Sequence, residues 1–141
     1  MGWILYAAGT AVALAAADFF IKLAAGRISN SLALLLYGSC TFLCGMSWFL
    51  MDRIRGMNLH AETPAVVAAL CVGVAFSAVT IGLYMTFAAG APISLGSPLV
   101  RLGAVFITGL AGVLLLHEPL TLRYISGMVL TAVGVYLIIT R

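Results

Sequence analysis

Residues 64–116 read PAVVAALCVGVAFSAVTIGLYMTFAAGAPISLGSPLVRLGAVFITGLAGVLLL, and one charged side chain, Arg101, interrupts the whole stretch. A bilayer core about 30 Å thick takes roughly 20 apolar residues per helix, each rising about 1.5 Å. The stretch is long enough for two such helices, with Ala89-Gly90-Ala91-Pro92 as the turn between them. Backbone polar groups in hydrocarbon must be satisfied within the segment, so runs of this length and composition predict helix.

Working outward, the same pattern fills the chain. Hydrophobic residues make up 64% of its 141 residues, charged residues only 8%, and mean hydropathy is +1.20. No water-soluble core of this size accounts for such a balance. The reading is an all-α integral membrane protein, a single domain over residues 1–141, with five transmembrane helices at about 3–25, 30–51, 64–89, 92–116 and 122–140. Asn30 and Ser31 are placed to cap the second helix. Thr63 followed by Pro64 pairs a side-chain cap with a residue whose missing N–H costs nothing at a helix start. Residues 52–63, with Asp52, Arg53, Arg55, His60 and Glu62, read as a solvated connection. His117-Glu118-Pro119-Leu120-Thr121 joins the last two helices, and both short junctions imply antiparallel neighbours. Met1 to Tyr6 carries no Lys or Arg, so the first helix reads as a span rather than a cleaved signal.

Formal charge is +3, but no basic cluster of the size that nucleic acid requires is present. With five crossings, Arg53, Arg55 and Arg123 fall on the N-terminal face and Lys22, Arg27 and Arg141 on the opposite one. Lys and Arg near span ends set orientation, and a tie removes that signal. The expectation is insertion both ways up. The alternative is that local insertion effects or the free α-amino group decide one orientation. Cys40, Cys44 and Cys71 read as buried small hydrophobes rather than a metal or redox site, and no cofactor is expected.

Charge within the hydrocarbon stands out from this background. Asp18 and Lys22 lie four apart on the first helix and share a face. Arg101 sits deeper, where a centred charge costs about 2.5 to 3.5 kcal/mol on the insertion scale and so calls for a polar surrounding. Ser94, Ser97, Arg101 and Thr108 follow helical spacing on the fourth helix, as do Ser77, Thr80 and Tyr84 on the third. Tyr37, Thr41, Cys44 and Trp48 form a weaker polar face on the second. These stripes are candidates to line a solute path; the alternative is that the hydroxyls bond their own helix or join helices. Gly96-Ser97-Pro98 predicts a kink or local unwinding near Leu95, a feature that borders binding sites in discontinuous helices and is elsewhere a plain kink. Ala104, Thr108 and Gly112 form a small-residue stripe for packing, and Gly127, Thr131 and Gly134 form another on the fifth helix.

Tyr84, the 89–92 turn, Pro98 in a polar-faced helix, Leu116 to Thr121, Gly127 and Gly134-Val135 together resemble the second half of an EamA-type unit of the drug/metabolite transporter superfamily. Lys22 at the end of the first helix fits the same pattern. The resemblance implies one half of a ten-helix inverted repeat, and a multi-pass location in a prokaryotic inner (cell) membrane. It also implies that Glu118 is structural, meeting the positive end of the fifth helix. The chain is similar as well to small multidrug resistance proteins, in which the segment matching Gly127 to Val135 mediates dimer contacts. Those proteins use a glutamate in the middle of the first helix. The aligned position here is Leu14, with Asp18 one turn later, so proton-coupled cation export does not carry over.

Together these readings lead to an expected function. Two copies inserted oppositely rebuild the inverted repeat as an antiparallel homodimer, a secondary transporter that moves a small organic solute by alternating access. Arg101 is the main solute or counter-ion contact and favours an anionic or zwitterionic solute. Asp18 holds Arg101 when no solute is bound. Two other readings fit the same residues: a subunit of a heteromeric lipid-carrier flippase, or a non-transporting membrane scaffold. No nucleophile with a positioned base, metal cluster or phosphate-cradling loop can be assembled, so the chain does not read as an enzyme.

Overall fold

A computed structural model of the chain describes residues 2–57, 61–115, 117, 119 and 121–140. The protein is all-α among these residues, with α1 Gly2–Ala24, α2 Asn30–Ile54, α3 Thr63–Ala88, α4 Ile93–Leu115 and α5 Leu122–Ile139. All five are long and apolar enough to cross a membrane. The shortest, α5, has 18 residues and spans about 27 Å. Large apolar side chains cover the outside: Tyr6 is 81% exposed, Trp3 72% and Leu130 71%. Water would not tolerate apolar surface on this scale, whereas lipid tails do. The chain is a multi-pass membrane protein.

Helix ends follow local chemistry. Ser29, not Asn30 or Ser31, caps α2: its backbone is extended and its Oγ accepts from Leu32 N–H at 3.4 Å. Asn30 is already the first helical residue, and Ser31 Oγ turns back to Ser29 Oγ at 3.4 Å. At α3, Glu62 rather than Thr63 is the cap residue and makes no side-chain capping bond, while Pro64 sits in the first turn. Thr121 caps α5 by accepting from Tyr124 N–H at 3.3 Å. α2 runs past the expected end at 51 to Ile54, because hydrogen bonding continues until Gly56 adopts φ +70°. There Gly56 N–H donates to Arg53 O at 3.1 Å and Met57 N–H to Asp52 O at 3.0 Å, a Schellman motif.

Pro98 lies inside a continuous α4, so of the kink or local unwinding expected near Leu95 the unwinding is absent. The helix starts just ahead of the proline. Pro92 O receives both Leu95 N–H at 3.0 Å and Gly96 N–H at 2.9 Å, fixing the first turn before Pro98 removes a single donor. Of the residues given roles above, His60, Leu116, Glu118, Leu120 and Arg141 lie outside the described residues.

The chain divides into two compact units, Met1–Ala89 and Gly90–Arg141. In the first, α3 packs against both α1 and α2. Its buried face is Thr80, Leu83, Tyr84 and Phe87, the i, i+3, i+4, i+7 spacing of one helical stripe. Ala33 near the start of α2 and Asp18 near the end of α1 are also buried. The second unit is the α4–α5 hairpin. Side chains of α5 cover Gly109: a Cβ there would run into the Tyr124 hydroxyl and lie 3.3 Å from Met128 Cε.

Candidate functional site

The first unit gathers much of the polar set in the third span. Asp18 is 2% exposed and Thr80 7%, both within membrane-spanning helices. Tyr84 is 9% exposed on the same face of α3. Lys22, four residues after Asp18, donates from Nζ to Phe87 O at 3.5 Å and stands 5.6 Å from the centre of the Phe87 ring. Phe87 O is one of the last carbonyls of α3, where the helix dipole is negative, so the ammonium meets charge and ring together. Lys22 therefore has a definite structural task, tying the last turn of α1 to the last turn of α3.

Between α2 and α3 lies a groove of about 330 Å³, lined by Tyr37, Thr41 and Phe42 on one side and Val72, Phe76 and Ser77 on the other. Gly38 and Gly73 open it: neither has any atom within 4 Å of where a Cβ would stand. Sequence periodicity found the tyrosine and the hydroxyls but not these glycines, whose signal was their mid-helix position. The groove takes Tyr37 and Thr41 from the α2 stripe and leaves Cys44 and Trp48 elsewhere, at the far end of the helix. Trp48 is 73% exposed.

Most hydroxyls bond their own helices. Ser77 Oγ donates to Gly73 O at 2.9 Å, Thr80 Oγ1 to Phe76 O at 2.8 Å and Thr41 Oγ1 to Tyr37 O at 2.8 Å. Thr108 Oγ1 donates to Ala104 O at 2.9 Å and Thr131 Oγ1 to Gly127 O at 2.8 Å. Each such hydroxyl keeps acceptor capacity after its proton is committed. A solute in the α2–α3 groove thus meets Ser77 and Thr41 chiefly as acceptors.

In the second unit, Ser97, Pro98 and Arg101 are half-buried, Gly96 and Gly112 are buried, and Ser94, Ala104 and Thr108 are exposed. Arg101 lies about 12 Å along α4 from Ile93, well inside the span. None of Asp18, Ser94, Ser97 and Arg101 is bare; each is engaged in a polar or electrostatic interaction. The α4–α5 contact does not use the Gly127, Thr131, Gly134 stripe. Nothing lies within 4 Å of a Cβ position at Gly127 or Gly134, whereas Gly109 is tightly covered. The cysteines correct another expectation: Cys40, Cys44 and Cys71 are free and exposed, presented outward where a thiol is as acceptable to lipid as to a core.

Site and fold together define a five-helix membrane protein with ionisable groups inside its spans. Comparison with protein-family models, with curated proteins and with solved structures found no match.

Proposed function

We propose that the protein is a secondary transporter of a small anionic or zwitterionic organic solute, working by alternating access as an antiparallel homodimer whose copies insert in both orientations. The observation that carries this reading is the placement of ionisable side chains within spans: Asp18, 2% exposed in α1, and Arg101 in α4. Such groups are costly in hydrocarbon and are kept where a polar ligand or ion is handled. The groove with Tyr37, Thr41 and Ser77 adds a polar recess at membrane depth. Five spans and a tied count of flanking Lys and Arg support dual insertion. The uncovered Gly127 and Gly134 offer a face on which a second copy's helix packs closely. In this reading the chain is a half-size unit of the EamA type in a prokaryotic inner membrane, and its partner copy supplies the inverted repeat.

Two measurements test it. Orientation is read by labelling Thr140→Cys from outside intact cells, in a background lacking Cys40, Cys44 and Cys71 so that the introduced thiol alone carries the label. About half the molecules react under dual insertion, by the balance of flanking charge; all or none defeats it. Solute handling is read by thermal stabilisation of the purified protein against a panel of small carboxylates and phosphates, followed by uptake into proteoliposomes. Arg101→Ala is expected to fold and to lose both responses. Full transport by that variant overturns the role given to Arg101.

A further inference from the structure

The end of α2 carries a second recess, distinct from the α2–α3 groove. Its volume is about 550 Å³, and its lining includes Ser47, Trp48, Met51, Asp52, Arg55 and Met57. Four of these, Ser47, Trp48, Met51 and Arg55, recur at intervals of one, three and four along α2 and its cap, so they share one side of the helix. Met57 joins them because the Schellman turn at Gly56 folds the chain back over the last helical turn.

The recess is layered. Trp48 and Met51 lie on the membrane side, and Asp52 and Arg55 stand where the helix leaves its apolar span. The two opposite charges line one pocket, yet among the described residues neither side chain makes an ion pair or a hydrogen bond. A carboxylate and a guanidinium that line one recess without pairing, together with an indole and two thioethers, match a ligand that carries both charges and an apolar tail. From this we infer that the recess binds one zwitterionic glycerophospholipid with a primary ammonium headgroup. Arg55 takes the phosphate in a forked hydrogen-bonded contact, Asp52 accepts from the ammonium, and Trp48, Met51 and Met57 hold the upper acyl chain. An anionic lipid such as phosphatidylglycerol satisfies Arg55 but offers Asp52 only neutral hydroxyl donors, weaker than an ammonium. A quaternary choline headgroup has the charge without N–H donors, so it ranks below the primary amine.

Native mass spectrometry of the detergent-purified full chain tests this, using phosphatidylethanolamine, phosphatidylcholine and phosphatidylglycerol with matched oleoyl chains. The wild type is expected to retain one phosphatidylethanolamine per chain about tenfold more tightly than either other lipid, equivalent to one charge-assisted hydrogen bond of about 1.4 kcal/mol. Asp52→Asn abolishes that preference while phosphatidylglycerol binding holds or improves, and Arg55→Gln weakens all three. Equal retention of the three lipids by the wild type, or a preference that survives Asp52→Asn, overturns the inference. Both substitutions lie on a helix end outside the buried face of α3, and circular dichroism of each variant separates a lost site from a lost fold.

Discussion

Replacing Gly109 with alanine places a methyl group where Tyr124 already stands. The new Cβ meets the Tyr124 hydroxyl in a clash, with Met128 Cε at 3.3 Å and Tyr124 Cζ at 3.5 Å. Two terms oppose each other. Helix propensity favours alanine over glycine by about 1 kcal/mol, and overpacking costs about 1–3 kcal/mol. Tyr124 is 43% exposed, so its ring has room to swing outward, which places the overpacking cost at about 1–2 kcal/mol. Gly103 in the same helix supplies the reference, because nothing lies within 4 Å of its Cβ position. Gly103→Ala reports the propensity term alone. Gly109→Ala is therefore expected to be less stable than Gly103→Ala by about 1–2 kcal/mol. The cycle closes with Tyr124→Phe, which removes the atom nearest the new methyl; in that background the difference falls to about 0.5 kcal/mol or less, the limit for independent sites. Helical circular dichroism during titration of mixed micelles with a denaturing detergent measures all four proteins. If the two alanine variants are equally stable, or if Tyr124→Phe leaves the difference intact, α4 and α5 do not meet at Gly109.

The remaining expectations rest on single contacts. Ser29→Ala removes the α2 cap and is expected to cost about 0.5–1 kcal/mol in the same titration, whereas Ser31→Ala stays within about 0.5 kcal/mol. Thr108→Ala and Thr131→Ala are expected to cost about 0.6 kcal/mol or less each, because both hydroxyls serve their own helices. A larger loss for either would show that its hydroxyl holds another helix.

The spans were legible in the sequence because hydropathy acts over twenty residues and averages out local detail. Helix ends were less so. Asn30 and Ser31 are good cap residues by type, but the cap belongs to whichever residue keeps an extended backbone, and that is Ser29 at ψ 143°. The α2 end moved for a similar reason: hydropathy stops at Met51, while helical hydrogen bonding stops only where Gly56 reverses the backbone. Among candidate site residues, periodicity placed Ser77, Thr80 and Tyr84 on one face. It gave no hint that Ser77 borders an open groove while Thr80 and Tyr84 are buried, since that depends on Gly38 and Gly73 leaving space across two helices. Pattern likewise favoured Gly127 and Gly134 for packing, where the hairpin instead seats Tyr124 on Gly109. A small residue permits close approach, and only the partner side chain decides which one is used.

Lys22 belongs to two of these arguments at once, and they can be separated. In the folded chain its ammonium is held by Phe87 O and the Phe87 ring on α3. That contact requires a helix synthesised after α1, so it forms too late to withdraw Lys22 from the charge count that orients the first span. Lys22→Met removes both contributions. It is expected to lower stability by about 1 kcal/mol, through the lost dipole and cation–π contacts. It also breaks the tie in favour of the face carrying Arg53, Arg55 and Arg123, which then stays cytoplasmic. The C-terminal end turns outward, and labelling of Thr140→Cys from outside rises from about half toward all molecules. Phe87→Leu removes the ring from the same contact without touching the charge; it also costs core packing, because the side chain is 3% exposed, but it leaves labelling at about half. If the two variants label alike, then either Lys22 takes no part in orientation or the balance of flanking charge is not what sets it, and the case for oppositely inserted copies loses its main support.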